Sequence, residues 1–589
     1  MRFVSPRTVA RVLAPASITT IPAGPQRKSA MAYALASVLS LVLAPQWALA
    51  QQAPQVTPRD LRPDTPVAPA AAVPLPAPAA APDNAQTLFV QVADVTVENG
   101  FPQFAGQTDA LSAQVRGRRL AVAEFYKLAE AIEALYRTAG FALVRVTVPP
   151  QNINDGGTLK LIVVDGFIEK VDVSGVAERA RGGVQAAMRA LVGKRQLRSD
   201  DLERALTLAS RGPGVSLRST LGAGQAVGGV VLVLEGTQIL VSGSAAADNR
   251  LSDQLGPWQT NLQGSLNQAL GYGEQLYVQA SSGADLNTAY RGTARRRVLG
   301  AGVILPLNVN GLSFNAEYTR SDSAPRALPF TPITRSEFER YSTRITYPLL
   351  LNRAQELTLT GVLDATTQRS ALPDFGLEID HDRLRVVRVG LAWNRAANEG
   401  STLSAGATLS KGMNGLGART QADAAASETG LSRPGANPAF AKLDMNLTLQ
   451  TALPRDIGYR LRVQAQMSLH GVLPGAELFS LDGEDALSAY TAGSLSDDGG
   501  ITVRQELSRQ VSLEVSNAKL VLAPYAFIAN GKAYSKIAGP SSSAMLHAYG
   551  VGVQMAWGKV GLSMEYGRRR SEQKILNGNE FFVKAQVQL

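Results

Sequence analysis

From Lys442 to Gln450 the chain reads Lys-Leu-Asp-Met-Asn-Leu-Thr-Leu-Gln, polar and apolar in strict alternation. Successive side chains of a strand point to opposite faces, so Leu443, Met445, Leu447 and Leu449 share one surface while Lys442, Asp444, Asn446 and Thr448 share the other. The same period predicts about sixteen strands after Gly236, among them Trp258 to Asn267, Glu274 to Ala280, Leu312 to Thr319, Tyr459 to Leu469, Val560 to Tyr566 and Phe581 to Leu589. A two-faced strand fits a soluble sandwich, whose apolar face meets a second sheet. It fits equally a membrane barrel, whose apolar face meets lipid and whose polar face lines a lumen. Roughly ten residues per segment suit a tilted membrane strand.

Connector lengths favour the barrel. Short turns at Leu270 to Gly273, Ala397 to Gly400 and Trp557 to Lys559 alternate with long stretches at Ser321 to Ser336, Thr366 to His381, Lys411 to Asn437 and Gly471 to Gly499. Outer-membrane barrels keep short turns in the periplasm and long loops outside. Both chain ends then fall on the periplasmic side.

The N-terminal quarter has other patterns. Arg27-Lys28, an apolar run from Ala30 to Leu43, and Ala48-Leu49-Ala50 predict a signal peptide over 1–50 with cleavage after Ala50. An uncleaved anchor and a start at Met31 are the alternatives. Residues 51–87 form a Pro/Ala-rich linker, with Pro66, Pro69, Pro74, Pro76, Pro78 and Pro82 closely spaced, and too few donors and too little buried surface to build a fold. Residues 88–165 then predict a strand at Leu88 to Val97, a helix at Ala121 to Thr138 with Phe125, Leu128, Ile132 and Leu135 on one face, and strands at Phe141 to Val148 and Thr158 to Val164. Residues 166–236 repeat the layout: a strand at Phe167 to Val173, helices at Val184 to Leu191 and Asp200 to Ala209, and strands at Val215 to Leu221 and Gly229 to Leu234. Two βααββ units in tandem precede a barrel over 237–589.

These units carry recognisable residues. Gly166-Phe167-Ile168-Glu169-Lys170-Val171, Leu191-Val192-Gly193-Lys194, Leu202 to Leu206 and Gly212-Pro213-Gly214-Val215 resemble the second polypeptide-transport-associated (POTRA) domain of two-partner secretion transporters, the haemolysin and filamentous-adhesin exporters of ShlB/FhaC/HecB type. Tyr136 to Phe141, with Gly140 and Phe141, followed by Val148 to Gln151, is similar to that family's first POTRA domain. The resemblance implies a membrane β-barrel of about sixteen antiparallel strands behind two α+β periplasmic domains. It implies a type V outer-membrane transporter that recognises the N-terminal secretion domain of one large exoprotein of adhesin or haemolysin type and passes it through the lumen without ATP. Outer-membrane lipid and the barrel assembly machinery are the further partners it implies. A barrel-assembly factor of the same superfamily and a passive porin-like channel are the alternative readings.

The segment Gly475 to Leu507, with Phe479 to Asp485 and Arg504-Gln505-Glu506-Leu507, resembles the long loop of this family that folds back into the barrel. Within it Gly483, Glu484, Ser488 and Tyr490 make the lumenal motif. The resemblance implies Val-Arg-Gly-Tyr where this chain has Leu487-Ser488-Ala489-Tyr490, and an Asp on the wall where Phe527-Ile528-Ala529, ahead of Gly531, offers Ala529. Both halves of one ion pair are absent together. Losing one partner strands a buried charge at roughly 3–5 kcal/mol, whereas losing both costs far less, so the loop is expected in the lumen with a different latch, Tyr490 among its contacts. The family's N-terminal plug helix is not evident in the sequence before Leu88, because that stretch is interrupted by prolines. The closing strand ends on Leu589 instead of an aromatic, which predicts less efficient insertion.

Composition adds exclusions. No cysteine means no disulfide scaffold, thiolate metal site or Cys nucleophile. The net charge of +10 comes partly from the first thirty residues and from clusters such as Arg295-Arg296-Arg297 and Arg568-Arg569-Arg570, with no basic stripe interleaved with aromatics, so nucleic acid is not an expected partner. His381, His470 and His547 are far apart, and no HExxH, GxSxG or phosphate loop occurs. His470 falls on the polar face of its strand, lining the lumen or standing at a loop base. A Ser/His pair brought together by folding stays open, yet the expectation is no enzyme, no metal and no cofactor.

Overall fold

The computed structural model describes residues 58, 61–63 and 81–589, apart from 284–293, 328, 398–399, 516–517, 538–544 and 573–575. The signal peptide, its cleavage site, most of the linker and the middle of the 397–400 turn lie outside the described residues.

The first small domain has strands β1 (Phe89–Glu98), β2 (Arg119–Ala121), β3 (Arg145–Thr147) and β4 (Gly157–Val164) in the order β2-β1-β4-β3, with β1 and β4 parallel. Helices α1 (Ala105–Ser112) and α2 (Val122–Thr138) complete it. Phe125, Leu128, Ile132 and Tyr136 of α2 form a buried stripe at helical spacing. Each such side chain contributes roughly 1.5–3 kcal/mol by leaving water. Tyr136 anchors the domain: its hydroxyl accepts from the Phe101 amide at 3.0 Å, and its ring meets Phe101 edge-on at 5.0 Å. Helix α1 and strand β2 lie outside the pattern expected from the sequence, because Ala-Gly-Gln-Thr-Asp-Ala-Leu-Ser has no apolar stripe and three residues are too few for a period.

The expected strand at Phe141 to Val148 shrinks to β3. Phe141 turns into the first core and Leu143 into the core of the second domain, so this stretch ties two cores together and cannot stay extended.

The second domain is β5 (Phe167–Val176), α3 (Glu178–Met188), α4 (Ser199–Ser210), β6 (Val215–Ala223) and β7 (Gly229–Gln238), ordered β5-β7-β6. Ile168, Met188, Leu206, Leu232 and Leu234 are its buried centre. Among the described residues β6 pairs only with β7, leaving one ladder edge open. Gly166 sits where the two domains join: a Cβ there would lie 2.0 Å from the Leu143 carbonyl oxygen, so only glycine fits. Gly140, Gly193 and Gly214 all hold positive φ, at 92°, 75° and 72°.

The rest closes into an antiparallel barrel of sixteen strands, from Val241–Asp248 to Gly578–Gln588; Gly499–Arg509 and Val511–Val515 are halves of one strand, since both pair with Ala518–Tyr534. The alternation behaves as its period requires. Asn315, Glu317, Thr319 and Lys442 are buried inside, while Val387, Val389, Leu391, Leu409 and Met445 are exposed on the outer wall. The closing seam pairs Lys584–Gln588 with Ser244–Asp248.

One long loop in the sequence reading is not a loop. Thr366 to His381 continues the strands Gln355–Leu372 and Leu377–Ala397, joined by the single turn Pro373–Phe375, so this hairpin projects past the outward apolar band. The second small domain docks at the short-turn end. Arg204 donates to the carbonyls of Asn310 and Pro348, Arg211 pairs with Glu356, and Gln268 donates to the Pro213 carbonyl at 3.0 Å.

Candidate functional site in the barrel lumen

Between Ile457–His470 and Gly499–Arg509 the chain turns inward. The pieces Phe479–Ser480 and Ser496–Asp497 pair as a small hairpin whose tip enters the barrel. Phe479, Leu481, Leu487, Ala489 and Tyr490 of this segment pack on Tyr525, Phe527, Ala529, Leu546 and Ala548 of the wall. Gly531 permits the approach, since a Cβ there would lie 2.8 Å from Leu487 Cδ1. Tyr490 donates its hydroxyl to the Arg570 carbonyl at 3.2 Å and has the Arg569 guanidinium 5.8 Å from its ring.

Ser488 and Ala529 are both fully buried. The cation of the site stands on the wall. Arg504 Nη1 donates to Ser488 Oγ, Arg504 Nη2 meets Glu565 at 2.9 Å and Glu506 at 3.3 Å, and the guanidinium lies 3.9 Å over the Phe527 ring. Tyr525 donates to Glu565 at 2.8 Å, and Arg250 reaches the Ser488 carbonyl at 3.3 Å. Arg504 and Ala529 are direct partners in the ladder. The charge pair is thus wall to wall, and the loop offers it a neutral acceptor.

The loop itself contributes anions. Glu477 is buried and clamped by Arg388 at 2.6 and 3.0 Å and by Lys442 at 3.1 Å; Arg388 also holds Asp364 at 2.8 Å. Asp498 takes Arg433 at 2.8 Å and the Leu473 and Lys536 amides at 2.6 and 2.8 Å. Glu484 pairs with Lys584 at 3.0 Å and Asp485 with Arg462, while Gly483 makes the turn at φ 116°. None of Arg250, Glu477, Arg388 or Glu565 stood out in the sequence, and Lys442 did so only as a polar-face position, because their partners lie on remote strands.

A second segment occupies the lumen. The Pro58 carbonyl accepts from Arg340 at 3.0 Å, and Leu61 is buried against Gly300, where a Cβ would lie 2.2 Å from Leu61 Cδ1. Pro58 and residues 61–63 are not helical, and Arg340 is itself held by Glu317 at 3.1 Å.

At the long-loop end, beyond the outward apolar residues, Asp382 accepts from the Ser432 amide at 2.9 Å and Asp380 bridges to Gly430. Burial, with help from the neighbouring Asp382, pushes the Asp380 carboxyl up to about 6. His470 stands exposed at a loop base, 3.5 Å from Asn437; His381 lies near Glu378 and His547 near Asn530, so no two histidines meet.

The family described as haemolysin secretion/activation protein ShlB/FhaC/HecB matches residues 229–555, and a POTRA domain of ShlB type matches residues 91–166. An outer membrane transporter CdiB of Dickeya dadantii is 24% identical over 457 residues, covering 77% of this chain and 78% of its own length. Among solved structures, CdiB from Escherichia coli superposes with a TM-score of 0.68 at 19% identity, over 97% of this chain and 100% of that one. CdiB from Acinetobacter baumannii gives 0.58 at 16% identity, over 95% and 98%.

Proposed function

The chain belongs to the ShlB/FhaC/HecB family of haemolysin secretion/activation proteins, and from this we propose that it is an outer-membrane transporter for one large secreted partner of adhesin or haemolysin type. The observation that carries the reading is the combination of two tandem small domains, the second docked on the short-turn end, with a lumen that holds an inward hairpin and the Pro58–Leu61 contacts. A passive porin needs neither. In this reading the small domains hang in the periplasm and the long loops face outside.

The open edge of β6 suits addition of an extended client, whose backbone completes the ladder while alternate side chains find pockets. The client then passes along the polar wall of the lumen. No step is catalysed, and folding of the client outside supplies direction without ATP. Barrel lipid contact and insertion by the assembly machinery belong to the same proposal.

The test is deletion of residues 88–236 in cells that co-express a candidate exoprotein secreted with the full chain. Secretion is expected to stop while the barrel still inserts and conducts ions. Continued secretion by the deleted form would overturn the proposal.

A further inference from the structure

Two stretches of the barrel's long-loop rim bear outward charges, and they differ in balance. On Arg296–Pro306, Ser313–Ser323 and Arg335–Leu351 the cations are paired: Arg297 with Asp322 at 2.9 Å, Arg320 with Asp322 at 3.4 Å and Glu339 at 3.6 Å, and Arg335 with Glu337 at 3.5 Å. On the neighbouring strands Gln355–Leu372, Leu377–Ala397 and Ser401–Gly412 they are not. Arg369, Arg383, Arg385 and Lys411 face outward there, and among the described residues none makes an ion pair with a carboxylate.

The register sets the geometry. Arg369 lies across from His381, Thr367 from Arg383, Ala365 from Arg385, and Val387 from Lys411, so the four cations climb one continuous face. Their hydrogen-bond partners are neutral. Arg385 donates to the Leu416 and Leu384 carbonyls, Lys411 to the Ala439 carbonyl at 2.9 Å, and Arg369 to the His381 ring at 3.4 Å; of the acids at this edge, Glu378 sits 3.3 Å from His381, and Glu337, across the ladder from Arg369, is taken by Arg335 at 3.5 Å, which leaves Arg383, Arg385 and Lys411 as the uncompensated cations. Immediately below come the exposed apolar side chains Leu363, Val387, Val389 and Leu409. An unpaired cationic face directly above an apolar band is placed at headgroup depth.

We propose that this face binds the phosphates of an acylated, sugar-based lipid of the outer leaflet, with Arg383, Arg385 and Lys411 as its principal contacts. The assignment rests on the orientation proposed above, in which the long loops face outside. Phosphate oxygens match the forked donors of arginine, and the apolar strip beneath receives the acyl chains.

The experiment uses the full chain in detergent, titrated with bisphosphorylated lipid A and with its phosphate-free form, and read by native mass spectrometry. Wild type is expected to prefer the phosphorylated lipid. A surface charge near an anionic headgroup is worth about fivefold in affinity, so R383Q/R385Q/K411Q is expected to lose on the order of a hundredfold. The control R297Q/R335Q, at the balanced rim, keeps the preference. Heat-dependent gel mobility reports whether each barrel is closed; should the triple variant not fold, Arg383→Gln alone and the charge-keeping R383K/R385K carry the comparison. A preference within twofold of wild type after charge removal would overturn the site, as would equal displacement by inorganic phosphate alone. Secretion is measured on the wild-type chain alongside: normal secretion with no lipid preference in wild type refutes only this site, and lipid preference without secretion refutes only the transport reading.

Discussion

Arg504 faces Ala529 directly across the ladder, and its guanidinium reaches over to Ser488 and Glu565. The expected loop-to-wall ion pair is replaced by a wall-borne arginine that the loop merely touches. Ser488→Arg would set a second cation against Arg504 and Arg250, and is expected to expel the loop tip and raise single-channel conductance. Ala529→Asp would draw Arg504 away from Glu565. Combined, S488R/A529D restores complementary charge, so a double-mutant cycle should show favourable coupling of about 1–3 kcal/mol. Additive single effects would contradict the geometry.

The heavier anchor is Glu477. Glu477→Gln leaves Arg388 and Lys442 buried without their shared anion, a loss of roughly 3–5 kcal/mol for a buried pair. The expected result is faster protease cleavage within 471–499 and higher conductance, with the barrel still heat-resistant. Unchanged cleavage would assign the loop's position to the Phe479–Leu487–Tyr490 packing alone.

Gly300 and Leu61 provide a third check. Gly300→Leu has no room beside Leu61 and is expected to displace Leu61 and Pro58 from the lumen. Conductance should rise. A disulfide between G300C and L61C, formed in the cysteine-free background, should hold it low and release it on reduction.

Acid should tighten the 413–440 loop. The Asp380 carboxyl sits at about 6 in the docked structure against an ordinary 3.8, so docking favours its protonated form. Docking therefore strengthens as pH falls from about 6 toward 3.8, and above about 6, where the carboxyl is ionised in both states, this contribution is lost and no longer changes with pH. Hydrogen-exchange protection at 419–432, taken relative to the intrinsic exchange rate at each pH, is expected to be several-fold greater at pH 5 than at pH 7.5, and Asp380→Asn should remove most of that difference. Equal protection at both pH values would dismiss the effect.

The strands were legible because period two survives on every wall: Lys442 to Gln450 lies within Ala441–Leu453 and splits inward and outward as its alternation demands. Helix α2 announced itself through Phe125, Leu128 and Ile132. Helix α1 did not, having no apolar face, and Thr366 to His381 read as a loop because its outward Arg369 and His381 break the apolar alternation above the band. The loop motif located Ser488 and Tyr490. The charges that hold the loop were hidden, since Glu477 and Arg388 are 89 residues apart and nothing local marks either.

The peptide at Pro58 and Leu61 also measures the bore. The lumen holds the inward hairpin and, against the Gly300–Arg340 wall, non-helical backbone with its carbonyl on a guanidinium. Under the proposed function a traversing polypeptide would offer the same carbonyls at every residue, so it would compete for Arg340 with a segment tethered to the barrel's own chain, and the lumen would refill with that segment once the cargo has left.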